Sequence, residues 1–298
     1  MNATSPTTTD REFTFTMADF RQISKMIYEH AGISLSAGKS EMVYNRLARR
    51  LRIHGLSSFA EYIDLLAHGD SSEWSEFVGA LTTHMTSFFR EEHHFPILAE
   101  HLAERHSKGT INLWSCAAST GEEPYSIAIT AAETFDSLTP PVSILATDVD
   151  KGVLMKARAG IYNAEGVRQL SSTVLKRYFQ WGSGSNGGTV KIRPELQRLI
   201  TFQPLNLLDP VWPMKEPFDA IFCRNVMIYF DRQTQKKLLV KSRRHLKPDG
   251  LFFAGHSENL NYADDLFQPC GKTVYRPHVV HHASRVETAA STADKFTG

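Results

Sequence analysis

The stretch WSCAASTGEEPYSIAI, Trp114–Ile129, reads as the end of a β-strand, a tight loop and the start of an α-helix. The rhythm around it sets the fold class. TINLWSC (110–116) supplies the strand, and the helix runs on to about Phe135. VSILATDVD (142–150) is a second strand and KGVLMKARAG (151–160) a helix; LITFQPLNLLD (199–209) is a third strand and FDAIFCRNV (218–226) a fourth. RQTQKKLLVKSRRHL (232–246) is helical, and KPDGLFFAGHSE (247–258) turns into a fifth strand. Strands alternating with helices imply a parallel sheet wound on both faces. DLFQPCGKTVYRP (265–277) then reads as an antiparallel hairpin turning at Cys270-Gly271. LKRYFQWGSGSNGGTVKIRPEL (175–196) breaks the alternation as strand, Gly/Ser-rich loop, strand, a small β insertion over about 170–197.

Upstream the period is that of helices. Thr16 and Asp19 form a capping box ahead of Phe20, Ile23 and Ile27 on one face. KSEMVYNRLARRLRIH (39–54) carries the stripe Val43, Leu47, Leu51 and stops at Gly55. Ser58 with Glu61 opens a third helix that ends at Gly69. SEWSEFVGALTTHMTSFFRE (72–91) carries a fourth, with Trp74, Phe77, Val78 and Leu81 inward. The expected organisation is a disordered tail at 1–12, an all-helical domain and linker at 13–90, an α/β domain at 91–280 and a second disordered tail at 281–298.

Bulk composition narrows the partners. The 298 residues carry 33 Lys+Arg against 32 Asp+Glu, a formal net charge of +1, so no global field points to nucleic acid or an anionic membrane. Three cysteines, Cys116, Cys223 and Cys270, match no zinc or disulfide spacing and read as reduced thiols; no metal is expected. MNATSPTTTDREF has no apolar core, so a signal peptide is not expected, and no run is long and apolar enough to span a bilayer. A soluble, cytoplasmic monomer is the expectation.

Ligands of a doubly wound sheet bind outside the carboxyl ends of the strands. A dinucleotide loop there needs G-x-G-x-x-G, so that backbone approaches a pyrophosphate at a helix N-terminus. Here Gly121 stands alone, followed by Glu122 and Glu123. Two carboxylates repel a pyrophosphate but suit a cationic, phosphate-free cofactor such as S-adenosylmethionine. The plainer alternative is complementation of the helix dipole, with Pro124 in the first turn. At the end of the second strand Asp148 is placed to hold ribose hydroxyls, while Asp150 sits where a helix cap is needed. Asn206 and Leu207 end the third strand, either beside an adenine or as a simple turn. Arg224 and Asn225 end the fourth, where charge closing an apolar strand suggests a cleft; Tyr229 follows, as a cleft residue or a core aromatic. His256 and Glu258 end the fifth.

Taken together, LTTHMTSFFREEHHFPIL (81–98), WSCAASTGEEPYSIAI, ATDVD (146–150), LNLLD (205–209), FDAIFCRNVMIYFD (218–231) and LKPDGLFFAGHSE (246–258) resemble the chemotaxis receptor glutamate methyltransferases, the CheR family. The resemblance implies a class I methyltransferase-like α/β sheet with a β insertion, preceded by an all-helical domain. It implies methyl transfer from S-adenosylmethionine to glutamates of the cytoplasmic helical region of chemoreceptors, with S-adenosylhomocysteine as product. By the same resemblance the cofactor is held by His84, Thr86, Arg90, Glu123, Asp148, Asn206, Leu207, Arg224 and Asn225. His84 stands where the family commonly has asparagine, and Cys116 where a small residue is usual. Arg90 and Tyr229 are the catalytic candidates. Arg90 can make a bidentate pair with a carboxylate of substrate or cofactor, and Tyr229 can orient the acceptor. A glutamate carboxylate is already ionised near neutrality and needs no base, so alignment is the main task.

Two docking surfaces are expected. Arg46, Arg49 and Arg50 on the second helix would steer an acidic helical bundle, although a basic helix flank is more often simply solvated. WGSGSNGGTV (181–190), with Gly182 and Gly184, resembles the hairpin loop of family members that bind a peptide at the receptor's C-terminus; a flexible turn is the alternative. Rival functions are a methyltransferase with another acceptor and a non-catalytic scaffold. No N-P-P-Y-like amine-methylating motif follows the fourth strand, and Arg90, Asp148 and Tyr229 are all present.

Overall fold

The computed structural model describes residues 11–69, 71–82, 85–105 and 109–278. Both expected disordered tails lie largely outside them, as does His84. Four helices come first: α1 (Met17–Ala31), α2 (Ser40–His54), α3 (Phe59–His68) and α4 (Ser71–Leu81). The capping box at Thr16 and Asp19 starts α1, and Gly32 ends it in the left-handed conformation. Gly55 ends α2 in the same way, and the Ser58 hydroxyl caps α3 at the Glu61 amide. Ile23, Ile27, Val43, Leu47, Leu51, Phe77, Val78 and Leu81 close one core. Burying each large side chain stabilises by about 1.5–3 kcal/mol. The fourth helix ends at Leu81, short of the 72–91 segment expected to carry it; residues 85–90 are irregular and cross to the next unit.

The second unit contains α5 (His94–Ala103), β1 (Ile111–Ser115), α6 (Glu122–Thr134), β2 (Val142–Asp148), α7 (Lys151–Ala159), β3 (Ile161–Asn163), α8 (Ser172–Tyr178), β4 (Phe179–Trp181), β5 (Thr189–Ile192), α9 (Pro194–Gln197), β6 (Ile200–Pro204), β7 (Phe218–Cys223), α10 (Arg232–Arg244), β8 (Leu246–Ala254), β9 (Phe267–Gly271) and β10 (Val274–Pro277). The main sheet runs β6-β2-β1-β7-β8-β10-β9. Its first five strands are parallel, and the last two form the antiparallel edge. Chain order leaves β1 in opposite directions, toward β2 and toward β7, so the crevice lies at the carboxyl ends of those strands. Helices cover both faces, over two separate apolar clusters.

Three details differ from the sequence expectation. The hairpin turns at Lys272-Thr273, not at Cys270-Gly271, and Thr273 takes a φ of 54°. The β insertion has three strands in the order β3-β5-β4 and begins at Ile161, because Ile161–Asn163 pairs with Thr189–Lys191. A three-residue strand has too little periodicity to be seen alone. LKRY, expected as strand, lies in α8.

Candidate active site

A cavity of about 950 Å³ of open space lies over the carboxyl ends of β1, β2, β6 and β7. Its wall includes Thr86, Arg90, Glu123, Asp148, Asn206, Leu207, Arg224, Asn225 and Tyr229, so every described residue that the family resemblance assigned to cofactor or catalysis meets there. The helical unit contributes Ala31 and Ile33, which the sequence reading missed. The only sign of them was Gly32, the left-handed helix end that brings this loop against Leu208: a Cβ at Gly32 would sit 2.5 Å from Leu208 Cδ1. The contact is fastened by Ser34 N–H donating to the Tyr229 carbonyl (2.7 Å) and the Asn206 amide donating to the His30 carbonyl (2.7 Å). Asn206 therefore commits one of its two amide N–H donors to α1, and its Oδ1 to Leu208 N.

The β1–α6 loop needs unusual backbone. Ser119 has a φ of 48° and Gly121 a φ of 100°. A Cβ at Gly121 would lie 2.8 Å from Tyr162 Oη and 2.9 Å from Ala157 Cβ, so only glycine fits. The two glutamates after it divide. Glu122 turns to the Thr120 hydroxyl (2.6 Å), away from this cavity, and burial pushes its carboxyl up. Glu123 faces the cavity and accepts from Ser115 Oγ (2.8 Å) and Arg224 Nη1 (2.9 Å). Burial pushes its carboxyl above the ordinary range, while Arg224 and Ser115 pull it back. The reading of two acids facing the ligand is corrected: one acid faces it, and that one is already paired with a guanidinium from β7.

Asp148 and Asp150 also separate. Asp150 caps α7, accepting from Gly152 N (2.6 Å) and Val153 N (3.3 Å). Asp148 lines the cavity, its carboxylate held by Ser119 N (2.9 Å) and Asp150 N (3.0 Å). Arg224 is buried, spanning Glu123, the Arg90 carbonyl and Glu91 Oε2 (3.3 Å). Arg90 donates to the Met85 carbonyl (2.7 Å), and among the described residues no carboxylate pairs with it. A guanidinium without a carboxylate, at the mouth of a cavity whose acids are otherwise engaged, is ready for an anionic group on a ligand.

The docking arginines fare differently. Arg46 donates to the Ala80 (3.2 Å) and Thr82 (2.8 Å) carbonyls and closes the end of α4. Arg50 is committed to Glu73 and Glu76, and Arg52 to Glu12. Only Arg49 of the expected trio is exposed and lacks a partner among the described residues. The basic flank expected on α2 is largely neutralised, because the acids that face it come from α4 and the N-terminal segment and cannot be seen on a one-helix projection. In the insertion, Gly182 is required by packing, since a Cβ would lie 2.1 Å from the Asn186 carbonyl oxygen. Gly184 adopts a φ of 59° in open space, and Trp181 beside it is 58% exposed.

Comparison with known proteins converges on one family. The domain described as "CheR methyltransferase, SAM binding domain" matches residues 84–276, and "CheR methyltransferase, all-alpha domain" matches 18–82. The chain is 52% identical to the chemotaxis protein methyltransferase of Klebsiella aerogenes over 259 residues, 87% of this chain and 89% of that one. It is 51% identical to the chemotaxis protein methyltransferase of Escherichia coli over 259 residues, 87% and 90% of the two chains. It is 49% identical to chemotaxis protein methyltransferase 2 of Pseudomonas aeruginosa over 275 residues, 92% and 98% of the two chains.

Proposed function

This chain belongs to the CheR methyltransferase family, and from that premise we propose that it methylates glutamate side chains of chemoreceptors, forming γ-methyl esters for sensory adaptation. Its cofactor is S-adenosylmethionine, the ligand of the matched domain. The donor set fits that molecule: no phosphate-binding glycine run, one held aspartate for a vicinal diol, and an acid and a guanidinium at the opposite end. The observation that carries the reading is the convergence of nine residues from separate segments on one cavity.

In this arrangement Asp148 would hold the ribose and Leu207 would meet the adenine, while Glu123, Asn225 and Arg90 would take the amino-acid end. When bound, the cofactor supplies an electrophilic methyl group on a cationic sulfur. The protein's own work is alignment. Arg224 opposes the rise that burial imposes on the Glu123 carboxyl and orients it inside a buried wall. Tyr229, held at its backbone by Ser34, orients the acceptor at the cavity's edge. Ala31 at the end of α1 and Ile33 just after it would line the adenine side. Because the acceptor carboxylate is already ionised at neutral pH, no general base is needed, and proximity and orientation account for the acceleration.

The receptor's helical bundle docks across the face that carries Arg49. A receptor C-terminal peptide adds to the insertion's edge strand β4 beside the exposed Trp181; that exposed aromatic on an edge strand favours a tether. No helix of the described residues is long and apolar enough to cross a membrane, and we place the protein in the cytoplasm as a monomer, with residues 13–90 and 91–280 as its two domains.

The test is transfer of labelled methyl to a purified chemoreceptor cytoplasmic domain, followed by mild alkali. A γ-methyl ester releases its label as methanol. Label that resists alkali, or none on the receptor despite cofactor binding, would overturn the glutamate assignment and favour another acceptor.

A further inference from the structure

The loop after β7 carries Arg224, Asn225 and Tyr229, yet its own backbone is irregular: Asn225 has a φ of 58°. Such a conformation persists in a non-glycine residue only where its surroundings over-determine it. Two carboxylates do so. Glu258 is buried (5% exposed), and among the described residues no cation pairs with it. Its charge is answered by backbone instead: Oε2 accepts from Gly255 N (2.6 Å) and Asn225 N (2.8 Å), and Oε1 from Met227 N (2.7 Å). Gly255 lets the groups approach, since a Cβ there would lie 2.5 Å from Asn225 Nδ2 and 2.7 Å from Glu258 Oε2. From the other side, Glu91 Oε1 accepts from Asn225 Nδ2 (3.2 Å) and from His256 N (3.0 Å), while its Oε2 faces Arg224 at 3.3 Å.

This second contact settles which way the Asn225 carboxamide faces. An ionised carboxylate only accepts, so the group presented to Glu91 is the NH₂. Asn225 lines the cavity with one of its two amide N–H groups committed to Glu91. An ammonium group only donates, so the atom that can answer a cationic ligand is Oδ1, an acceptor. We propose that Glu258 and Glu91 are positioning residues that clamp Asn225 by its backbone and its side chain, so that Oδ1 accepts from the cationic amino-acid end of the cofactor. This rests on the placement of that end at Glu123, Arg90 and Asn225 given above. The two clamps differ in chemistry. At Glu91 a single oxygen holds Asn225 and His256 N, so an amide oxygen could replace it there, with only the ion pair of Oε2 to Arg224 lost. At Glu258 both oxygens accept from N–H groups, and an amide would set an NH₂ against one of them.

Calorimetry on the full chain with two probes separates positioning from mere structure. S-adenosylhomocysteine carries the amino-acid end; 5′-methylthioadenosine has the nucleoside and lacks it. We expect Glu91→Ala and Glu258→Gln each to weaken S-adenosylhomocysteine binding by about tenfold or more, the loss of one hydrogen bond to a charged group. Affinity for 5′-methylthioadenosine should stay within about twofold. Glu91→Gln should regain most of what Glu91→Ala loses. Equal losses for both probes, or no loss for either, would overturn the clamp and leave the carboxylates as structural groups. Should Glu258→Gln not fold, the two Glu91 variants decide the matter alone. A wild-type protein that binds neither probe would instead sink the assignment of the cavity itself.

Discussion

Replacing Arg224 with methionine tests the physical account of the cavity wall. The Arg224 side chain is 1% exposed and that of Glu123 13%, with Nη1 2.9 Å from Oε2. The substitution keeps an apolar stem of comparable length and removes the charge. Glu123 is then left buried with only Ser115 as a partner, and Glu91 loses its ion pair but keeps its bonds to Asn225 and His256. Breaking a buried pair from one side costs about 3–5 kcal/mol, because the remaining charge is uncompensated. For a unit of this size the midpoint should fall by roughly 6–20 °C. Urea unfolding at pH 7.5 can follow the buried Trp114 and Trp212 of the α/β unit. The cost should be relieved when the charge is removed as well: Arg224→Met with Glu123→Gln should recover about 2 kcal/mol or more relative to Arg224→Met alone. The pH dependence has a definite sign. Burial already raises the Glu123 carboxyl, and Arg224 opposes that rise. Without Arg224 the folded form binds a proton still more tightly than the unfolded chain, so the variant's deficit shrinks as pH falls through the folded pKa. A single variant that loses less than about 1 kcal/mol, or a double variant no more stable than the single, would refute this reasoning.

Gly121→Ala should destabilise by about 1–3 kcal/mol and weaken cofactor binding, since the residue sits at φ 100° with Tyr162 Oη and Ala157 Cβ in the way of a methyl group; an unchanged melting curve and affinity would contradict it. His94 and His101 are both pushed down to about 4, mainly by burial, with Arg224 and Arg105 respectively adding to it. The unfolded chain therefore takes up protons between about pH 6.5 and 4 that the folded chain refuses. Each contributes about 3 kcal/mol that is present above pH 6.5 and is lost toward pH 4, and urea midpoints for His101→Gln should fall less steeply over that window. Arg49→Ala should slow receptor methylation at low salt and lose that effect at high salt without changing the melting point, whereas Arg46→Met should lower the melting point; equal behaviour of the two would remove Arg49 as a docking group.

The sheet was legible because its strands are buried on both faces and punctuated by helix caps. FDAIFC and LFFA are nearly continuous apolar runs, and Thr16, Ser58, Asp150, Gly55 and Gly160 mark helix ends by chemistry local to a few residues. The cavity residues Glu123, Asp148, Asn206, Leu207, Arg224 and Asn225 were legible for a related reason: in a doubly wound sheet, strand ends are known once strands are known, whereas Thr86 and Arg90, outside any strand, came only through the family resemblance. The short strand β3 and the true hairpin turn were not, because three residues carry no period and a turn at Thr273 needs a backbone conformation that its residue type does not advertise.

What the sequence alone determined, then, is local in origin: helix faces, caps, strand ends and the absence of a phosphate loop, all set by contacts within a few residues. What only the tertiary structure decided is who pairs with whom. Arg46 and Arg50 lost their place on a docking surface to α4. Glu123 was matched to Arg224 across 101 residues, and Asn225 was clamped from Glu91 and Glu258. A side chain's charge is written in the sequence, but its free valence is not, because hydrogen-bond partners arrive from distant segments and a buried polar group must take whichever partner the packing brings.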